Sequence, residues 1–253
     1  KFNNSEVGAV TVLIKAENKN NSLLERFQQI EYAVGFGLYA LIAKYFNMIF
    51  VTPGPMTVFR KSVFERVGLF DEQNITEDLE MGWRLRAFGY KVEYTLDAVA
   101  ITTVPSTLFG LLKQRIRWYR GTLECFKDII TKHRHRIKKK TLIAFAITYL
   151  QPIALIAPFI STITIISSIF IDVPYITLLL AKVELISISM APLYLLINMR
   201  YFDIIAFLEP INWILQGVVV LIALIPIKIP WFRTSSRAKI NLGDVHIKVI
   251  ERL

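Results

Sequence analysis

The 253-residue sequence contains a single cysteine and three histidines, and it has no aspartate before Asp71. Cys125 has no partner thiol, which excludes an intrachain disulfide and removes any argument for an oxidising compartment. With no nucleophile chemistry beside it in the sequence, it reads as a packing residue. His133 and His135 alternate with cations in the run from Lys132 to Lys140, which makes a poor cation site. Neither an initiator methionine nor a signal-peptide pattern precedes the first strand-like run, so the chain reads as one with a truncated start.

Ionised groups are scarce in the second part. Residues 1–140 hold 22 Lys+Arg and 14 Asp+Glu, whereas 141–253 hold 8 and 6. Hydrophobic residues make up 54% of the sequence and mean hydropathy is +0.46, high for a soluble globule. The boundary near 140 is therefore read as a change of solvent, from water to lipid. The net charge of +10 suits nucleic acid, anionic lipid or a phosphate-bearing substrate. A basic block directly before an apolar run favours lipid over nucleic acid. The positive-inside rule places that block in the cytoplasm, as a solvated juxtamembrane charge run.

Val7 to Ile14 is β-branched and apolar and predicts a buried strand. Ser22 and Glu25 form a capping-box pattern ahead of a helical stripe from Leu23 through Phe27, Ile30 and Val34 to Tyr45, with a bend at Gly35 and Gly37. Thr52-Pro53-Gly54-Pro55 is a turn, because two prolines remove backbone donors around a glycine. A strand over 56–59 follows, then a Ser62/Glu65 capping box on a short helix ending at Gly68. The Thr76-Glu77-Asp78 triplet opens a further helix that ends near Gly89. Lys91 to Leu96 alternates as a strand, with Val99 to Thr103 as its continuation or partner. This order predicts α/β architecture over 1–105.

From 106 to 140 the pattern predicts an amphipathic interfacial helix and a basic juxtamembrane segment. Phe109, Leu112, Ile116, Tyr119, Leu123, Phe126 and Ile130 share one third of the circumference, and Gln114, Arg117, Trp118 and Gly121 lie opposite. The first face suits a membrane surface and the second the α/β domain; an ordinary core-facing helix is the alternative. Residues 141–231 predict a bundle of transmembrane helices, with spans over Leu142–Ile171, Pro174–Met199 and Ile211–Pro230. Pro152 and Pro158 would kink the first, and Lys182 and Glu184 interrupt the second. Residues 232–253 form a basic tail with Arg233, Arg237 and Lys239. Three crossings would put that tail outside, against its charge, so one apolar segment is expected to be re-entrant or interfacial.

Two motifs carry the chemistry. Thr76 suits an N-cap, and acidic residues in a first helical turn stabilise the dipole by about 0.3–1 kcal/mol each, which accounts for most such triplets. An Arg-Trp pair on a helix is usually a cation over a ring. Together they say more. A carboxylate at a helix mouth can take a proton from a hydroxyl, a guanidinium can neutralise a leaving pyrophosphate, and an indole offers a wall for a sugar ring.

The order Thr-Pro-Gly, Gly-Leu-Phe-Asp-Glu, Thr-Glu-Asp and Gln-x-x-Arg-Trp over residues 7–131 resembles the membrane-bound family 2 glycosyltransferases, the synthases of cellulose, hyaluronan, chitin and poly-N-acetylglucosamine. The resemblance implies a partial GT-A-like fold, a nucleotide-diphosphate sugar donor, a divalent metal (Mg or Mn) and inversion at the anomeric carbon. It assigns the catalytic base to Asp78. It places Thr52, Pro53 and Gly54 near the acceptor sugar, and Thr76, Glu77, Gln114, Arg115, Arg117 and Trp118 at the substrates. The Asp-x-Asp that holds metal and diphosphate in that family is absent here, so metal ligands are not expected in this chain.

The resulting expectation is an integral membrane enzyme with its catalytic part cytoplasmic, acting on a glycan acceptor beside membrane lipids and binding no nucleic acid. Transfer of one sugar to a polyprenyl phosphate or other lipid is the alternative enzyme, and a non-catalytic channel or scaffold subunit is the alternative of another class.

Overall fold

The computed structural model describes residues 1–38, 51–154, 156–172, 209–225 and 246–249, with short pieces at 45, 174–175, 177–179 and 182. Its centre is strand β1 (Val7–Ala16), in which every side chain except Lys15 is buried. A strand covered on both faces must be apolar at successive positions rather than alternately, which is the run seen in the sequence. The sheet order is β2 (Thr57–Phe59), β1, β3 (Lys91–Thr102), β4 (His246–Val249). β1 and β3 are parallel, whereas β2 and β4 run antiparallel to their neighbours.

Period-two alternation divides β1 between two cores. Ala9 and Leu13 pack with Val63 and Val67 of α2 (Val63–Val67) and with Met81 and Leu85 of α3 (Glu77–Ala87). Val12, Ile14 and Ala16 face Tyr32, which ends α1 (Leu23–Tyr32), together with Ala100 and Val104. The two expected strand runs after residue 90 are one strand with a bulge. Its register jumps from Val12↔Thr95 to Leu13↔Val99, and the extra loop is pinned by the Thr95 hydroxyl donating to Asp97 Oδ2 at 2.8 Å.

The capping box at Ser22 is present: its N–H donates to Glu25 Oε2 at 2.7 Å, and Glu25 N–H donates to Ser22 Oγ at 3.4 Å. α1 continues as a π-helical turn over Ala33–Leu38, where the bend was expected. Beyond it only Tyr45 of the predicted stripe is among the described residues. The second predicted capping box is corrected. Ser62 is already helical (φ −64°, ψ −15°) and makes no side-chain cap bond, since a residue inside the first turn cannot fold its hydroxyl back onto that turn. α2 does stop at Gly68, whose φ of +83° is left-handed.

α4 (Leu108–His133) starts at Thr107, whose hydroxyl accepts from Gly110 N–H at 3.2 Å. Its apolar stripe meets protein rather than lipid alone: Ile116 is buried against Val219 and Ala223 of α7 (Glu209–Leu224), with Leu112 and Tyr119 beside them. Phe109, at the start of the stripe, remains 67% exposed. The change of solvent near 140 is likewise less sharp than composition suggests. α5 (Lys139–Ala154) sends Ala144 and Phe145 into a core with Leu79, Trp83, Cys125 and Ile129, where the Trp83 and Phe145 rings stack 4.7 Å and 5° apart. Part of the basic block also packs. Arg136 lies 4.6 Å over the Phe88 ring, and His133 meets the same ring edge-on.

Among the described residues no helix is long and apolar enough to cross a membrane. Within the first expected span the described residues are helical over α5 and over α6 (Ile156–Ser167), and residue 155 between them lies outside the described residues. The second expected span and the basic tail over 232–245 lie outside the described residues, apart from a few positions before Val183. The third is α7 as far as Leu224, with 226–230 outside.

Candidate active site

The mouth of α3 is built by hydrogen bonds that composition does not reveal. Asn74 Oδ1 accepts from the Thr76 N–H at 2.9 Å and from the Thr76 hydroxyl at 3.2 Å, an Asx turn that sets the chain before the helix. The expected Thr76 cap is therefore corrected: its hydroxyl turns back to Asn74 and to Cys125 Sγ, 3.4 Å away, and makes no cap bond. Asp78 fills the role instead. Its Oδ1 accepts from Leu79 N–H at 2.8 Å, one of the amides that a helix start leaves unpaired.

The Thr52-Pro53-Gly54 turn closes on the same carboxylate. Gly54 N–H donates to Asp78 Oδ2 at 3.0 Å, and the Thr52 hydroxyl donates to the Asp78 carbonyl. Both carboxylate oxygens are thus held by backbone amides. Asp78 is half-buried, Glu77 and Gly54 are exposed, and Thr52 and Pro53 are buried.

α4 brings the second motif to this mouth. Arg117 Nη1 donates to the carbonyl of Ile75 at 2.9 Å, three residues before Asp78. One turn along, Gly121 lies so close that a Cβ there would fall 2.2 Å from both Thr76 Cγ2 and Thr76 Oγ1. Trp118 packs at the edge of the core formed by Val12, Ile14, Tyr32 and Ala100, with its ring 6.3 Å from that of Tyr32. Gln114 Oε1 accepts from Arg115 Nη1 at 2.9 Å.

Four of the residues expected at the substrates are buried in this arrangement: Thr52 is 1% exposed, Thr76 4% and Arg115 0%, and Pro53 is buried beside Thr52. Arg115 instead pairs with Glu31 Oε2 at 2.8 Å. Burial opposes its charge, but Glu31, Tyr32 and Tyr119 outweigh that and move its pKa up. Sequence reasoning placed Gly121 on the face turned to the α/β domain but missed Asn74 and Glu31. An Asn two residues before a helix N-cap is a readable turn signal. Nothing local points to Glu31, which lies 84 residues from its partner.

Cys125 is fully buried, and burial, the largest cause, pushes its thiol up to about 12. Thiolate is the reactive form. At pH 8 the folded protein is expected to resist a disulfide-exchange reagent, with release of one equivalent of chromophore only in denaturant. Rapid labelling without denaturant would show that α3 and α4 are not packed around it.

Among the described residues no group of three or more His, Cys, Asp or Glu side chains is placed to hold a metal ion. The resemblance places the metal ligands in an Asp-x-Asp that this chain does not contain, and the chemistry of the residues present is derived without a metal.

The chain matches the family described as glycosyl transferase family group 2 over residues 2–225. It is 38% identical over 118 residues to a poly-beta-1,6-N-acetyl-D-glucosamine synthase of Staphylococcus epidermidis, covering 47% of this chain and 28% of that protein. It is 38% identical over 116 residues to the synthase of the same name from Staphylococcus aureus (strain COL), covering 46% and 28%. The chain thus covers about 28% of the length of these curated relatives. With the α/β, GT-A-like domain and this match across most of its length, the chain belongs to the family 2 glycosyltransferases.

Proposed function

We propose that this chain is the acceptor-side and membrane part of a polysaccharide synthase that moves N-acetylglucosamine, with inversion, from a nucleotide-diphosphate sugar to a growing glycan. The observation that carries the reading is the meeting of the Asp78 mouth with the Arg117 helix through the Ile75 carbonyl. Two N–H bonds occupy only part of a carboxylate's acceptor capacity of about four lone-pair sites. Asp78 therefore takes the proton of the acceptor hydroxyl as that oxygen bonds to the anomeric carbon. The bond from that carbon to the pyrophosphate oxygen breaks, and its electron pair leaves with the nucleoside diphosphate. Arg117, with one of its five N–H donors on Ile75, offers the others to that charge. The half-buried Trp118 gives the acceptor ring a flat wall. The sugar is suggested by the names of the relatives.

A membrane location is supported by the outward faces of α5, α6 and α7. Ile143, Leu150, Ile160, Ile163, Ile166 and Leu221 are each 44–54% exposed there. The pairing of β4 with β3 favours a chain that returns to the side it left, and so an even number of crossings between α5 and β4. An even number of crossings would agree with the basic charge of the tail and leave one of the three apolar segments interfacial.

The test is to feed membranes carrying the full-length protein with labelled UDP-N-acetylglucosamine and size the product on a gel. A ladder of polymer is expected. A single lipid-soluble product would replace this reading with one-step transfer to a lipid, and no transfer from any nucleotide sugar would remove it.

A further inference from the structure

Arg115 stands between the two motif side chains of α4 and a residue that neither motif contains. Its guanidinium carbon lies 4.1 Å from the Trp118 ring centroid, Nη1 holds the Gln114 amide oxygen, and Nη2 reaches Glu31 on α1 at 2.8 Å. The guanidinium is planar and its donors diverge in fixed directions, so fixing one edge fixes the plane that covers the indole. Glu31 supplies that fixed edge. Its own carboxylate is 29% exposed and is met from a third helix by Gln216 Nε2 at 3.5 Å. Gln216, 4% exposed, is oriented in turn by the Tyr119 hydroxyl, which donates to its Oε1 at 2.6 Å. A buried charge with this set of partners has one low-energy placement. Removing the carboxylate leaves the cation free to rotate off the ring.

We propose that Glu31, acting through Arg115, is the positioning residue that sets the plane of Trp118 and anchors Gln114, and so tunes how the acceptor sugar is held. The role rests on the function proposed above, but the placement of the indole does not.

The test uses the full-length protein in detergent, labelled with 5-fluorotryptophan, with the Trp118 resonance assigned by Trp118→Phe. Glu31→Gln and Arg115→Lys are each expected to move the Trp118 resonance and leave that of Trp83 in place. With a β-1,6-linked N-acetylglucosamine oligosaccharide as acceptor, they are expected to raise acceptor KM about tenfold while kcat and donor KM change less than about threefold. Glu31→Asp, which keeps the charge but shortens the reach, is expected to fall between wild type and Glu31→Gln.

If the wild-type protein transfers sugar and the variants leave both the Trp118 resonance and acceptor KM unchanged, the inference fails. It also fails if every tryptophan resonance moves together with a large drop in thermal stability, because Glu31 would then be structural only. If the wild type transfers no sugar, the function proposed above fails, and the fluorine spectra still decide whether Glu31 sets the indole.

Discussion

Asp78→Asn is expected to lower sugar transfer about 10²–10⁴-fold, the range for loss of a general base, while the protein still folds and enters membranes. The separation of effects follows from the geometry. Asn keeps one acceptor oxygen, which can hold either the Gly54 or the Leu79 amide, and puts an amino group against the other. Asp78 is half-buried, so water can reach the amide that loses its partner. The fold then loses one charge-assisted bond, whereas catalysis loses the only step that takes up the acceptor proton. The measurement is initial rate alongside thermal unfolding for wild type and Asp78→Asn. Transfer at the wild-type rate in Asp78→Asn would take this carboxylate out of the mechanism.

Gly121→Ala is expected to be as damaging by a different route. A methyl group placed 2.2 Å from two Thr76 side-chain atoms and 2.8 Å from Thr76 Cβ forces α4 and the start of α3 apart. Thr76 cannot swing away, because Asn74 and Cys125 enclose its hydroxyl and the residue is 4% exposed. Overpacking of this kind costs about 1–3 kcal/mol, and a shift near 1 Å in a positioned group costs about 10²-fold in rate. The shift would loosen the bond from Arg117 to the Ile75 carbonyl, which ties the phosphate-side cation to the loop carrying the base. Transfer is expected to fall about 100-fold, with a lower unfolding temperature. Adding Thr76→Ala, which removes both 2.2 Å contacts but leaves the Cβ contact, is expected to restore part of each loss. No recovery in the double variant would show that the two helices do not meet at this point.

The strand and helix order was legible in the sequence because each depends on local spacing. The apolar run of β1, the Ser22/Glu25 box and the glycine at 68 each leave a pattern within a few residues. Thr-Pro-Gly and Thr-Glu-Asp were legible as separate elements, but their union was not. The Gly54 amide and the Asp78 carboxylate are 24 residues apart, and only the folded chain places one against the other. The role of Thr76 was misread because a threonine before a helix is usually a cap, and nothing local shows that the Asp78 carboxylate takes the amide first. The α4 stripe was read as facing lipid because apolar periodicity does not distinguish lipid from another helix. Val219 and Ala223 of α7, far along the chain, decide that.

A structure of the full-length protein with nucleotide sugar and a short acceptor oligosaccharide bound tests the central claim most directly. The account predicts the attacking hydroxyl within about 2.6–3.2 Å of an Asp78 oxygen, with Arg117 toward the diphosphate and the acceptor ring against Trp118. An acceptor bound on another face, with Asp78 still closed by Gly54 and Leu79 and no hydroxyl near it, would contradict it.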